Sequence, residues 1–255
     1  MQMIRAASKS PTDYLLVDIS NSFTKLAFAT RNHISRPFRV ATKELTRGEL
    51  QRCLRKRDAR TLVVSSVVPK KNAVVREAAG RRKIVWLTAR SKLGVGIDYP
   101  APKSIGADRL ANAIAVARLY GFPAIVVDFG TAVTFDIISS AGAYIGGVIA
   151  PGLESMTSFL YQRTALLPEL NLREPKSAVG KSTREAMLAG AVFGYRGLVR
   201  EIIKQIKRKE CAGRKIKVVA TGGYAQLIAK QMPEIGAIHP NLTLEGLRFA
   251  GNLNS

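Results

Sequence analysis

The sequence predicts an α/β protein made of two similar halves, each a mixed sheet flanked by helices. Three observations predict it. β-Branched apolar runs alternate with helical spacing, as in Thr61–Val68 followed by Pro69–Ala79. A strand ending on a carboxylate leads through a small-residue turn into a second strand at Val126-Val127-Asp128-Phe129-Gly130-Thr131-Ala132-Val133-Thr134-Phe135-Asp136. A second version stands 110 residues earlier (18 against 128), where Val17-Asp18-Ile19-Ser20-Asn21-Ser22-Phe23-Thr24 lines up with Val127 to Thr134. Two Asp-led hairpins about one small domain apart predict a duplicated fold with a shared cleft.

Residues 1–13 read as a loose leader, with Pro11 just before the first strand. Tyr14–Asp18 is a short apolar strand, Thr24–Thr30 its hairpin partner, and Ile34–Val40 a third strand. Leu45–Arg57 has helical spacing, with Thr46 as cap and Leu50 and Leu54 on one face. Thr61–Val68 has the composition of a buried parallel strand, Pro69 opens a helix to Ala79, and Lys83–Leu87 is the next strand. Ser91–Ser104 holds Gly94, Gly96, Pro100 and Pro102 and reads as a loop or lid. It delivers Gly106-Ala107-Asp108-Arg109, where the chain turns into a helix over Leu110–Tyr120. Gly121-Phe122-Pro123 ends that helix and sets the expected domain division, 14–121 against 122–255.

The second half repeats the plan. Ala124–Asp128 and Val133–Ile138 form its hairpin, Tyr144–Ala150 its third strand, and Pro151-Gly152 opens a helix through Leu160. Leu166–Lys181 is irregular. Thr183 is the expected cap of a long helix, with Glu185 in its first turn and a stripe of Met187, Leu188, Val192, Leu198, Ile202 and Ile206. Ile216–Ala220 is a strand, Thr221-Gly222-Gly223 leads into a helix to Gln231, a short strand lies near Ile238, and Leu242–Leu253 closes the chain as a helix.

With 255 residues and 47% hydrophobic content the chain can bury a proper core. No window approaches the ~18 consecutive apolar residues of a membrane span, and the start has no apolar run like a secretory signal. A cytoplasmic location is therefore expected. The two cysteines, Cys53 and Cys211, lie far apart without metal-type spacing and read as free thiols. Forty Lys+Arg against 18 Asp+Glu give +22. Such a charge attracts anions and favours nonspecific nucleic-acid contact. Aromatic residues do not interleave with the basic clusters Arg52–Arg57, Arg81–Lys83 and Lys204–Lys217, so these read first as solvated faces.

The chemistry gathers at the turns. Backbone amides and hydroxyls beside a carboxylate suit phosphate oxygens and a cation, although Asp-x-Gly turns also join many strands for structural reasons alone. Asp108 could take a proton from a hydroxyl and Arg109 hold a carboxylate or phosphate; equally, an acid at a helix start satisfies orphan amides. Thr221-Gly222-Gly223, Gly146-Gly147 and Pro151-Gly152 have the same two readings. His33 and His239 lack ligand neighbours and read as structural, and Trp86 as packing.

Taken together, these segments resemble the type III pantothenate kinases of the acetate/sugar kinase, Hsc70 and actin superfamily. Asp18-Ile19-Ser20-Asn21-Ser22-Phe23-Thr24-Lys25 is similar to the family's first phosphate motif, Asp-x-Gly-Asn-Thr-x-x-Lys. Gly106-Ala107-Asp108-Arg109 matches its substrate motif, and Asp128 to Asp136 its second phosphate motif. Gly146–Gly152 and Ser182–Ala186 also look like family segments. The resemblance spans Tyr14 to about Leu253 and implies two ribonuclease H-like halves.

It further implies phosphorylation of pantothenate by ATP to 4'-phosphopantothenate, the first step of coenzyme A synthesis, in a homodimer. Asp108 would be the base. Gly106, Ala107, Asp108, Arg109, Tyr99 and Thr183 would bind pantothenate, Thr183 across the dimer interface. Asp18, Ile19, Ser20, Asn21, Ser22, Phe23, Thr24 and Lys25 would cradle ATP, with Thr131 as a further contact. Asp18 would hold Mg2+ through the nucleotide, and Asp128 a monovalent cation, potassium or ammonium. Ser20 stands where the pattern has glycine and Ser22 where it has threonine. If that turn needs positive φ, serine costs about 1 kcal/mol or more and ATP affinity suffers. Two other functions are compatible with the residues: a catalytically weakened relative acting as an accessory or nucleic-acid-associated regulator, and a kinase of another small hydroxyl compound.

Overall fold

The computed structural model describes residues 12–210 and 215–255. Of the expected leader over 1–13, the part up to residue 11 lies outside the described residues, as does Cys211, while Thr12 and Asp13 already belong to the first strand. In chain order the first elements are β1 (Thr12–Ile19), β2 (Phe23–Ala29), β3 (Phe38–Ala41), α1 (Arg47–Lys56), β4 (Ala59–Ser66), α2 (Asn72–Ala79) and β5 (Lys83–Trp86). There follow β6 (Gly96–Ile97), α3 (Ala107–Leu119), β7 (Ala124–Phe129), β8 (Ala132–Ile138), β9 (Ala143–Pro151), α4 (Leu153–Arg163), α5 (Thr183–Glu210), β10 (Lys217–Thr221), α6 (Ala225–Ala229), β11 (Ala237–Ile238) and α7 (Leu242–Asn254).

The chain divides into two compact units. One holds the residues up to Lys92 with Gly106–Ala111 and Leu244–Ser255; the other holds Leu93–Ile105 and Asn112–Thr243. The first unit has a sheet in the order β3-β2-β1-β4-β5. The second has β11-β10-β7-β8-β9-β6. Read from its other end and without β6, that is the same arrangement: an antiparallel meander whose first strand pairs in parallel with the fourth, and the fourth with the fifth. The duplication foreseen from two hairpins is thus a duplication of whole sheets, two ribonuclease H-like halves.

In the first unit both faces of β1 are buried at the centre of the mixed sheet, between β2 and β4. Leu15, Val17 and Ile19 pack with Leu50 and Leu54 of α1 and Val75, Ala78 and Ala79 of α2. Thr46 caps α1 as expected, accepting from the Glu49 amide at 3.3 Å while Glu49 accepts from the Thr46 amide at 3.2 Å. Arg52, Arg55 and Lys56 are exposed on the opposite face of α1. The third strand is shorter than expected. Pro37 supplies no N–H, so pairing begins only at Phe38, and Ile34 makes an isolated bridge with Ala29. Arg76 stacks over Trp86 at 5.2 Å, so that ring packs as expected. Cys53 is a free thiol, and its half-buried setting raises its pKa despite nearby Lys56 and Arg52.

The second unit's core joins Ile125, Val127, Phe129, Val133, Phe135 and Ile137 to one face of α5. That face is Leu188, Val192, Tyr195, Val199, Ile203 and Ile206. The expected stripe therefore held for Leu188, Val192 and Ile206; Leu198 and Ile202 are only flanking and partly buried. Two further corrections concern loops. Gly96–Ile97, expected within a loop, forms β6 and pairs in parallel with Ala143–Tyr144 at the sheet edge. The helix after Gly223 is a single short turn, Ala225–Ala229, rather than a run to Gln231.

Candidate active site

The first hairpin lies in the first unit. Asp18 is buried at the carboxyl end of β1, where its Cα partners are Lys25 on β2 and Ser65 on β4. The spacing of the motif is thereby explained: its acid and its lysine are opposite one another across the hairpin. The Ser20 amide donates to the Phe23 carbonyl at 3.2 Å, closing the turn around Asn21 and Ser22, both exposed. Buried Thr42 donates to the Ser20 carbonyl at 2.7 Å and lies 3.0 Å from the Thr24 hydroxyl, so the chain after β3 fixes the turn from outside.

The substrate motif also lies in this unit. The Gly106 carbonyl accepts from the Leu110 amide at 3.1 Å and starts α3. Asp108 sits in the first turn, and its Oδ1 accepts from the Arg109 amide at 2.8 Å. A Cβ on Gly106 would fall 2.5 Å from that same Oδ1. The carboxylate of Asp108 thus folds back over Gly106, and a side chain there would displace it.

The second hairpin lies in the second unit and is tighter. Asp128 pairs with Thr134, Phe129 with Val133, and the Gly130 amide donates to the Ala132 carbonyl at 3.1 Å. Only Thr131 lies between Gly130 and Ala132, whereas Asn21 and Ser22 lie between Ser20 and Phe23. The 110-residue offset thus holds up to the turn and slips by one beyond it: Thr24, opposite Ile19, corresponds to Val133 rather than Thr134. Up to the turn, Ser20 corresponds to Gly130. Gly130 does not adopt a left-handed φ, and a Cβ there would meet only Ala132 O at 3.5 Å and Asp128 Oδ1 at 3.9 Å. At this counterpart position, then, glycine is not required by its own conformation.

Two glycines clamp this second turn. The Gly152 amide donates to the Thr131 carbonyl at 3.1 Å, and a Cβ on Gly152 would fall 2.3 Å from that oxygen. Ser155 donates to the same carbonyl at 2.8 Å. Gly222 has φ +95°, and a Cβ there would fall 2.6 Å from both Asp128 Oδ1 and the Phe129 backbone. Two of the three segments that were ambiguous in the sequence, those of Gly152 and Gly222, press on the Asp128–Thr131 turn, whereas Gly146 lies under Tyr99.

Asp128 also accepts from Asn112 Nδ2 at 3.1 Å, and Thr243 donates to Asn112 Oδ1 at 2.9 Å. Sequence reasoning missed Asn112. The available signal was its place four residues after Asp108, one turn further along the same helix. Thr221 is the register partner of Asp128 on β10, as Ser65 is of Asp18 on β4. Both hydroxyls are buried with no hydrogen-bond partner among the described residues. A buried unsatisfied hydroxyl costs ~1–3 kcal/mol, and its presence beside each carboxylate fits sites built for oxygen-bound ligands. Among the described residues no three His, Cys, Asp or Glu side chains group as a metal cage. One carboxylate per site suits a cation held mainly by phosphates.

Tyr99 is half-buried, with its ring edge-on to Tyr144 at 6.1 Å and over Gly146. Thr183 is exposed at the start of α5 and is not its cap. That position belongs to Ser182, whose hydroxyl accepts from the Glu185 amide at 3.2 Å. His239 pairs through Nδ1 with the Tyr120 hydroxyl at 3.0 Å.

The profile of the type III pantothenate kinase family matches residues 14–205. A type III pantothenate kinase from Akkermansia muciniphila is 47% identical, over 94% of this chain and 99% of its own. One from Methylacidiphilum infernorum is 42% identical, over 94% and 88%. Among solved structures, a conserved Campylobacter jejuni protein assigned to the Baf family of transcriptional activators superposes with a TM-score of 0.61, covering 92% of this chain and 96% of its own at 20% identity. That likeness concerns the fold. Nothing in the sequence relatives favours the accessory reading. The family match, the shared length and the identity agree, and this chain belongs to the type III pantothenate kinase family.

Proposed function

We propose that this protein transfers the γ-phosphoryl group of ATP to the primary hydroxyl of pantothenate, giving 4'-phosphopantothenate and ADP. The observation that carries this reading is Asp108 within an intact Gly-Ala-Asp-Arg segment, its carboxylate folded over Gly106 at the start of α3. Asp108 accepts the hydroxyl proton as the oxygen bonds to the γ-phosphorus and the bond to the ADP oxygen breaks. Gly106 to Arg109, Tyr99 and Thr183 bind pantothenate. Asp18 to Lys25 and Thr131 hold ATP, their amides and hydroxyls meeting the phosphate oxygens. Asp18 stands toward Mg2+ and Asp128 toward a monovalent cation, potassium or ammonium. When bound, these ions neutralise charge on the phosphates. The contribution of the chain is position: closed turns, clamped by Gly152 and Gly222, hold donors still where charge develops.

The protein acts as a homodimer in the cytoplasm in this reading. Among the described residues no helix is long and apolar enough to cross a membrane. The second unit exposes Ile149, Phe159, Leu166 and Phe193, which supports a self-association face. The +22 balance supports weak, nonspecific nucleic-acid contact. A titration of DNA should show affinity falling steeply with salt, and no binding at low salt would remove that contact.

The test of the main reading is ADP release with ATP, Mg2+, potassium and pantothenate. Pantothenate-dependent ADP is expected, and its absence overturns the reading. Asp108→Asn keeps an acceptor for the Arg109 amide, so it should leave thermal unfolding unchanged and lower turnover by ~10²–10⁴-fold. Full turnover in that variant removes Asp108 as the base.

A further inference from the structure

We propose that Asn112 is a positioning residue for the Asp128 carboxylate and that Thr243 sets its orientation. The inference rests on the reading of Asp128 as part of the active site. Asn112 is 1% exposed and Thr243 3% exposed, so neither side chain reaches bulk water. The polarity of the chain of bonds follows from one end. A carboxylate only accepts, so the amide must turn Nδ2 toward Asp128. The amide oxygen then faces Thr243, whose hydroxyl must donate. Both bonds are present, at 3.1 and 2.9 Å. With either partner lost, the amide is free to rotate and could present its oxygen to the carboxylate.

The arrangement has features that packing alone does not require. Gly222 occupies the space beside Asp128 Oδ1, while Asn112 holds Oδ2. One oxygen is crowded by backbone and the other is tied to a buried donor, so the carboxylate has a single orientation on β7. The donor itself comes from α3, the helix that begins with the substrate motif, and its orienting hydroxyl comes from the first turn of α7. Asn112 stands on the helix just before β7 and Thr243 near the far end of the chain, and a helix face needs no amide at a buried position. A leucine branches at the same atom and would bring no amide to bury.

The test is a double-variant cycle read as kcat/KM, with thermal unfolding recorded alongside. Asn112→Leu should lower kcat/KM roughly tenfold to hundredfold, the scale of a misplaced active-site group. Thr243→Val should produce a smaller loss in the same direction, and Thr243→Ser should restore wild-type values. In an Asp128→Asn background, Asn112→Leu should add no more than about a twofold loss, because residues acting as a unit are not additive. Losses that multiply in the double variant would make Asn112 merely structural and overturn the inference. So would wild-type turnover in Asn112→Leu when Asp128→Asn is impaired. Wild-type turnover in Asp128→Asn alone overturns the reading of Asp128, and the inference with it. If Asn112→Leu does not fold, the same cycle with Thr243→Val decides the matter.

Discussion

Asp108 and Gly106 act as one unit at the residue scale. The carboxylate lies where a side chain at 106 would be, with 2.5 Å between Oδ1 and an added Cβ. Gly106→Ala should therefore leave the fold intact and push the carboxylate off its place. Turnover should fall by about tenfold or more while the KM for ATP stays unchanged, since misplacing a reacting group acts on the chemical step. Steady-state kinetics with ATP varied would check this, and an unchanged kcat would show that Asp108 relocates freely. Ser20 makes the opposite prediction. Its counterpart Gly130 has neither a left-handed φ nor a crowded Cβ direction. Ser20→Gly should leave the KM for ATP within about twofold of wild type, a change below ~0.5 kcal/mol. A marked drop would mean that serine hinders the nucleotide itself. The motif residues were legible in the sequence because they are adjacent to one another. Asn112, Thr243 and Thr221 were not, because what brings them to Asp128 is packing and pairing between separate elements, α3 just before β7 and β10 and α7 well beyond it.

The long helix α5 shows what sequence reads well and badly at the scale of elements. Its extent was legible from periodicity and from Glu185 in the first turn. Its cap was assigned one residue late, since Ser182 and Thr183 are equally good caps and only the hydrogen bond to the Glu185 amide separates them. Its buried face was half right because apolar residues flank the true stripe on both sides. The two-residue strand β6 gave no pattern at all, being defined only by its partner Ala143–Tyr144. Midway along α5, Arg196 is buried and bidentate to Glu174 at 2.8 and 2.7 Å, and it also donates to the carbonyls of Leu227 and Ile228. This one side chain ties α5 to α6 and to the irregular segment before it. Arg196→Met should destabilise the protein by about 2 kcal/mol, mainly through carbonyls left without a donor. The Arg196 hydrogen bond lowers the Glu174 pKa. A depressed carboxylate pKa gives stability that is present above the ordinary glutamate value, near ~4.3, and lost as pH falls through the lower folded value. The melting-temperature gap between wild type and Arg196→Met should therefore narrow on acidification below that range. A gap that is constant with pH would show that Glu174 contributes nothing.

For the whole molecule, duplication was legible because the same acid-then-small-residue turn occurs twice, and the sheet orders bear it out. What the alignment of hairpins could not show was the one-residue difference in turn length, since two short polar turns look alike until their strands are paired. Charge and exposed apolar surface raise the question of assembly. Phe159 is 58% and Leu166 89% exposed, large apolar side chains that a solitary unit gains nothing by presenting to water. Thr183, freed from capping by Ser182, is exposed in the same unit. If two copies associate with two-fold symmetry and each lends Thr183 to the other's substrate site, every site draws residues from both chains. That makes a sharp prediction. Asp108→Asn and Thr183→Ala should each be inactive or nearly so alone. Unfolded together and refolded, half of the dimers should be mixed, with one site holding both changes and the other holding neither. About a quarter of wild-type turnover should return. If Thr183 serves its own chain's site, each site in the mixed dimer carries one change and mixing restores nothing. Substituting Phe159 and Leu166 by glutamate should abolish the recovery and yield monomers on a sizing column; dimers that survive those changes would place the association surface elsewhere.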